Sequence, residues 1–355
     1  MSTPDVVVIT GASAGVGRAT AVEFARRGAR VAVLSRGTEG LEGARRDIEQ
    51  AGGTALVVPM DVSDPDQVEH AAEQVERELG PIAIWVNCAM VTVFSPVSAI
   101  TPAEFKRVTE VTYLGYVYGT MAALKRMRPR NRGTIVQVGS ALAYRAIPLQ
   151  SAYCGAKFAI RGFTDALRSE LIHDRSKIRL TMVQIAAFNT PQFDWARIHI
   201  DQNPQPVPPI FQPEVAARGI VHAAYHPRRE FWVGWPTVKA ILGNKLIPGL
   251  LDRYLASKAY EGQFGPEPLP PNRPDNLFDP VPGDHGAHGR FDDRARPQSW
   301  QLWANMHRGW LATGATVLAG LAVWGWSGRA NRRIQAERSR LIAGRPGTPA
   351  HPRVQ

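Results

Sequence analysis

Val6-Val7-Val8-Ile9-Thr10-Gly11-Ala12-Ser13-Ala14-Gly15-Val16-Gly17 is the stretch that decides the fold. Four consecutive β-branched aliphatic residues read as a strand covered on both faces. The helical spacing that begins at Gly15 and runs over 15–27 follows directly. A side chain at Gly15 or Gly17 would hold a pyrophosphate away from the backbone. Without one, the first amides and the dipole of the helix face the phosphates. A glycine trio is a weak signal alone, but between an apolar strand and a helix it reads as a dinucleotide site.

The same alternation continues outward from this unit. Strand patterns fall at 6–10, 30–35, 54–59, 82–87, 134–139, 179–185 and 231–233. Helical patterns fall at 15–27, 41–51, 65–79, 102–127, 151–173 and 214–226. A parallel neighbour requires a crossover connection, so strand–helix alternation predicts a doubly wound α/β sheet of about seven strands with helices on both faces. Such sheets take ligands at the carboxyl ends of their strands. The expected organisation is a cofactor and catalytic domain over 1–235, a helical extension over 236–261, and a Pro/Gly-rich linker over 262–305. An apolar helix over 306–328 and a basic tail over 329–355 complete it.

Composition narrows the function. The chain has 355 residues, 44% of them hydrophobic, enough for a full core. Its two cysteines, Cys88 and Cys154, make no disulfide framework and no zinc spacing. No basic and apolar leader opens the sequence, so a cytoplasmic setting is expected. The net charge of +11 suggests a polyanion, yet residues 329–355 hold seven arginines against one acid, Glu337. An excess gathered in a tail argues against nucleic acid as a partner.

The end of the second strand selects the cofactor. An acid there binds the ribose hydroxyls of NAD and repels a 2′-phosphate. This chain has Ser35-Arg36-Gly37-Thr38, and Arg36 offers a 2′-phosphate a charge-assisted partner. NADP(H) is therefore expected over NAD(H). Further along, Tyr153 and Lys157 stand at i and i+4 on one helix face. A free phenol has a pKa of about 10, and a nearby ammonium or an oxidised nicotinamide favours its phenolate. Tyr153 then suits a general acid in reduction and a general base in oxidation.

With Ser140 thirteen residues before Tyr153 and the glycine loop at the start, the chain resembles the short-chain dehydrogenase/reductase family over about residues 5–235. The resemblance implies that Ser140 binds the substrate oxygen and that Lys157 also holds the nicotinamide ribose. It implies cofactor contacts at Thr10, Gly11, Ser13, Gly15, Val16 and Gly17, and adenine contacts at Asp61 and Val62. Asn87 and Ala89 fall where the family has Asn-Ala-Gly, though here the motif reads Asn87-Cys88-Ala89-Met90, and Asn87 reads equally as cofactor-side or structural. Two further departures stand out. Thr112 occupies the position of an Asn that relays protons to the Lys. Ile185-Ala186-Ala187-Phe188-Asn189-Thr190 keeps the Thr that contacts the carboxamide but lacks the usual Pro-Gly before it.

In that family the segment after the sixth strand covers the substrate. Here 191–213 carries Phe193, Trp195, Ile198, Ile210 and Phe211, which suits a hydrophobic carbonyl or alcohol and equally suits packing against the body. Residues 262–300 contain eight Pro and five Gly, a composition that favours an extended or irregular path. His285 and His288 beside Asp284 lack third and fourth metal ligands, so no metal is expected. Trp310 to Trp326 has no charge and is flanked by tryptophans, so 306–333 is a possible membrane contact or an oligomer-forming helix, with a homo-oligomer expected. The rival to an oxidoreductase is an NADP(H)-binding scaffold or sensor that acts through this C-terminal extension.

Overall fold

The computed structural model describes residues 4–311 together with Thr313, Gly314 and Thr316. Met1–Trp303 forms one compact unit, and Ala304–Gln355 falls in a second. The extension at 236–261 and the linker up to Trp303 thus belong to the same unit as the sheet. Most of Trp310 to Trp326 and the whole basic tail lie outside the described residues. Among the described residues, no helix is long and apolar enough to cross a membrane.

The first strands are β1 (Val6–Thr10), β2 (Arg30–Ser35), β3 (Thr54–Pro59) and β4 (Ile82–Asn87). After the short β5 (Val93–Phe94) come β6 (Thr134–Val138) and β7 (Arg179–Gln184). Short β8 (Arg197–Ile198) and β9 (Gln202–Pro204) precede β10 (Glu230–Trp232) and β11 (Phe264–Pro268). Seven of them form one parallel sheet in the order β10-β7-β6-β4-β1-β2-β3. Every residue of β1 and β6 is buried, as near-continuous aliphatic runs require. The strand order reverses between β1 and β4, the position where a sheet of this kind opens a ligand crevice.

The crossovers are α1 (Gly15–Ala25), α2 (Thr38–Gln50), α3 (Pro65–Leu79) and α4 (Pro102–Thr109), then α5 (Gly115–Arg130), α6 (Ser151–His173), the short α7 (Gln192–Trp195) and α8 (Pro213–Tyr225). The single helix expected over 102–127 is interrupted by a π turn, Glu110–Leu114. Such turns are common at functional sites. Within it the Thr112 hydroxyl donates to Val91 O at 2.8 Å and accepts from Val91 N at 3.0 Å.

Beyond β10, α9 (Trp235–Leu246) and α10 (Pro248–Gly262) break at Pro248, which takes the first position of α10 because it needs no amide partner there. Trp235, Leu242, Leu246, Ile247, Leu250 and Tyr254 stand exposed along this pair. The Pro/Gly-rich segment is largely irregular, as its composition predicts, and mostly exposed, but buried residues anchor it at intervals. β11 pairs antiparallel with β9. Leu277 is fully buried in the main core with Met60, Val62 and Val111, and Phe291 joins Phe94, Phe193 and Phe264 in an aromatic cluster.

Glu104 links the sheet's helical layer to the segment after β7. It closes a capping box with Thr101 at the start of α4, and its carboxylate meets Arg197 at 3.2 Å and His199 at 2.9 Å. Burial raises its pKa, but the Thr101 amide, His199 and Arg197 outweigh that and hold it at about 2. A depressed carboxyl contributes stability above its ordinary range of about 4.3, and that contribution is lost as pH falls towards the folded value. Glu104→Gln is expected to cost about 2 kcal/mol at pH 7, with the deficit shrinking at pH 3, by urea denaturation. An equal deficit at both pH values would contradict this account.

Candidate active site

The crevice between β1 and β4 is shaped by close backbone approach. Thr10 Oγ1 accepts from the amides of Cys88 (3.0 Å) and Ala89 (3.2 Å), joining the carboxyl ends of the two strands. Gly11, at φ +69°, passes so near that a Cβ would lie 2.6 Å from Ala89 Cα. A Cβ on Gly17 would lie 2.2 Å from Gly11 O. Only glycines close this loop, and the first turn of α1, whose leading amides have no intrahelical acceptor, opens onto the crevice.

Counted together with the open solvent at its mouth, the cleft encloses about 1150 Å³. Gly11, Ser13, Gly15, Val16, Gly17, Ser35, Arg36, Asp61, Val62, Ala89, Tyr153, Lys157 and Thr190 all line it, so the structure gathers most of the sequence-derived set in one place. Thr10, Asn87, Thr112 and Ser140 do not line it. Asn87 is fully buried: its Oδ1 accepts from Trp85 Nε1, and its Nδ2 reaches Gln137 Oε1 at 2.9 Å and Thr120 Oγ1 at 3.1 Å. Its amide is satisfied inside the core, which favours the structural of its two readings.

At one end of the cleft, Ser13 Oγ and Ser35 Oγ lie 3.0 Å apart. Arg36 beside them points its guanidinium at backbone carbonyls of the C-terminal segment: Asn276 O at 2.5 Å, Phe278 O at 2.6 Å and Leu277 O at 3.5 Å. Asp61 is bonded to Arg107 at 2.5 Å and to Ser63. Burial raises its pKa, but these partners together hold the carboxyl below its usual range.

At the other end, Ser140 Oγ accepts from Leu142 N at 3.1 Å, and its hydroxyl stands near the Tyr153 phenol, whose pKa it lowers. Lys157 Nζ donates to Val138 O at 2.9 Å and to Tyr116 Oη at 3.0 Å, and lies 5.5 Å from the centre of the Tyr153 ring. Burial pushes the Lys157 ammonium down to about 8. Burial also raises Tyr153 above the ordinary phenol, against the smaller opposing effect of Ser140. The sequence predicts a shift in the other direction from the neighbouring ammonium. Desolvation dominates, and the ammonium's hydrogen bonds go to Tyr116 and Val138.

Tyr116 is absent from the sequence-derived set. It is fully buried, donates to Val138 O at 2.9 Å, and accepts from Lys157. Its only signal in the sequence is its place four residues after Thr112. Thr112, expected near Lys157 as a relay, uses both its donor and an acceptor position on Val91 instead.

The C-terminal segment is the larger omission. Gly15 N donates to Gly286 O at 3.1 Å, so this amide, expected to face phosphates, meets a carbonyl. Asp284 pairs with Arg18 and Arg46, and a Cβ on Gly289 would lie 2.6 Å from Thr190 O. His288 lies between Glu214 (2.8 Å) and Asp292 (2.9 Å). His285 stands edge-on to Trp195. Among the described residues, no group of three or more His, Cys, Asp or Glu is arranged to hold a metal. Of the apolar residues in 191–213, Phe193, Ile210 and Phe211 are buried against the body, and Trp195 lines the cleft.

Comparison with known proteins agrees with this geometry. A family model described as short chain dehydrogenase matches residues 5–198. An uncharacterized oxidoreductase of Bacillus subtilis, YxnA, is 31% identical over 321 residues, which cover 90% of this chain and 89% of that protein. The putative oxidoreductase SadH of Mycobacterium tuberculosis is 30% identical, covering 64% of this chain and 86% of its own length. The mouse 3-ketodihydrosphingosine reductase is 34% identical over 170 residues, covering 46% of this chain and 51% of that enzyme. The chain belongs to the short-chain dehydrogenase/reductase family of oxidoreductases.

Proposed function

We propose that the protein is an NADP(H)-dependent oxidoreductase acting on a hydrophobic carbonyl or alcohol, with Tyr153 as its general acid/base. The observation that carries this reading is Tyr153 on the wall of a cleft floored by the glycine loop, with the Lys157 ammonium 5.5 Å from its ring centre and Ser140 near its phenol. The close approach at Gly17 fits a pyrophosphate lying against bare backbone.

When bound, the nicotinamide supplies or accepts the hydride. Ser140 Oγ donates a hydrogen bond to the substrate oxygen and orients the reacting carbon. Tyr153 Oη gives that oxygen its proton in reduction and takes it back in oxidation. Lys157 keeps positive charge beside the phenol and lowers the cost of the phenolate. Ser35 and Arg36 favour a 2′-phosphate, since no acid ends β2 and a guanidinium carries more donors than its three carbonyl partners use. Trp195 and Phe188 on the cleft wall favour an apolar substrate. A relative named for a 3-keto sphingoid substrate supports the same class.

The test is oxidation of NADPH against NADH by the purified chain over apolar aldehydes, ketones, quinones and steroids. Turnover that prefers NADPH is expected; turnover with NADH alone contradicts the cofactor assignment. Tyr116 enters as a positioning residue for Lys157. Tyr116→Phe removes an acceptor from the ammonium, which disfavours the charged form and lowers its pKa further below about 8. The alkaline limb of the kcat profile is expected to move to lower pH, with kcat down about ten-fold and carbonyl KM little changed. An unmoved limb would reduce Tyr116 to a packing role.

A further inference from the structure

The C-terminal segment does more than pack. We propose that residues 276–289 complete the cofactor site, with Asn276 Oδ1 accepting a hydrogen bond from a ribose hydroxyl in the adenosine half of the dinucleotide. The inference rests on the dinucleotide reading above and adds a residue that lies far from every motif that led to it.

The backbone at Asn276 is held from three sides. Its amide donates to Trp195 O at 3.0 Å, and its carbonyl accepts from Arg36 at 2.5 Å. The next residue, Leu277, is buried in the main core, and its carbonyl accepts from Arg107 Nε at 3.1 Å. A short way on, the Asp284–Arg18 pair and the Gly286 O–Gly15 N bond fasten the segment to the first turn of α1. The Asn276 side chain is therefore presented from a fixed platform, on the cleft wall with Ser13, Ser35 and Arg36.

Its Oδ1 is buried and has no hydrogen-bond partner within the protein. A buried acceptor left unmatched is costly, and in a folded protein such a group calls for a cause. A donor from a ligand removes the cost. Phosphate oxygens only accept, and the nicotinamide belongs at the far end of the cleft, beside Tyr153. With a phosphate on its 2′-oxygen, the adenosine ribose keeps one donor at this end, its 3′-hydroxyl; the other donor is the adenine amine, and the end of β2 is where the ribose of such a cofactor lies. The ribose hydroxyl is the match.

The test uses the two halves of the cofactor as separate probes on the full chain. Isothermal titration measures 2′,5′-ADP for the adenosine half and nicotinamide mononucleotide for the other, on wild type and Asn276→Ala. Thermal melting of each protein confirms that the variant is folded. The expected result is binding of 2′,5′-ADP weakened about ten-fold in the variant, with nicotinamide mononucleotide unaffected. Equal affinity of both proteins for 2′,5′-ADP overturns the role of Asn276 and leaves the dinucleotide reading intact. Equal weakening of both halves overturns it too, since that marks a general loss of the cleft's shape. If wild type binds neither half, the dinucleotide reading itself falls, and this inference with it.

Discussion

Tyr153→Phe is expected to lower kcat about a thousand-fold while the cofactor still binds. The substitution deletes one hydroxyl and keeps the ring that stands 5.5 Å from Lys157 Nζ, so the cleft keeps its shape. Neither the neighbouring hydroxyl nor the neighbouring ammonium replaces the phenol as the proton source. Ser140 can orient that oxygen, but its hydroxyl is a far weaker acid. Lys157 is tied to Val138 O and Tyr116. Steady-state kinetics and a fluorescence titration with NADPH separate the two effects. A variant that retains more than a tenth of wild-type kcat would contradict the assignment of Tyr153.

The second large effect is expected at Gly17. A methyl group there would lie 2.2 Å from Gly11 O and 2.8 Å from Gly11 C, both backbone atoms that a side-chain rotation cannot clear. The loop between β1 and α1 must shift, and with it the amides that face the cleft. Gly17→Ala is expected to weaken NADPH about a hundred-fold, some 2.7 kcal/mol. Gly162→Ala in α6 is the matched control, because a Cβ there meets nothing within 4 Å. A helical Gly→Ala change at such a site is expected to raise stability by up to about 1 kcal/mol. Binding as tight in Gly17→Ala as in wild type would remove the loop from the cofactor site.

The parts of this molecule that were legible in the sequence share one property: their meaning is local. Val6-Val7-Val8-Ile9 is a buried parallel strand whatever surrounds it, and the glycines after it can serve only a tight approach. The sheet follows from such runs, and each of its seven strands starts within one residue of its expected place. What escaped or stayed open depends on partners distant in the chain. Asn87 ends β4 in a position that faces a cleft, yet Trp85, Thr120 and Gln137 turn its amide inward. The π turn at Glu110–Leu114 leaves no trace in hydrophobic spacing, so the link from Lys157 to Tyr116 and the turning of Thr112 towards Val91 stayed hidden.

The belt over 276–292 is the clearest case. Eight Pro and five Gly across 262–300 read as irregular chain, and irregular chain is what forms. Composition says nothing of Leu277 entering the core beside β3, or of Asp284 meeting Arg18 across 266 residues. The alignment with YxnA covers 90% of this chain and so extends well past the sheet.

The most direct test of hydride transfer at this cleft is isotopic. NADPH carrying deuterium at the reactive position of its nicotinamide is turned over with the best apolar carbonyl from the panel, and the product is weighed by mass spectrometry. A single deuterium on the former carbonyl carbon is expected with wild type and almost none with Tyr153→Phe. Cofactor that binds tightly while every carbonyl remains unlabelled would contradict hydride transfer here.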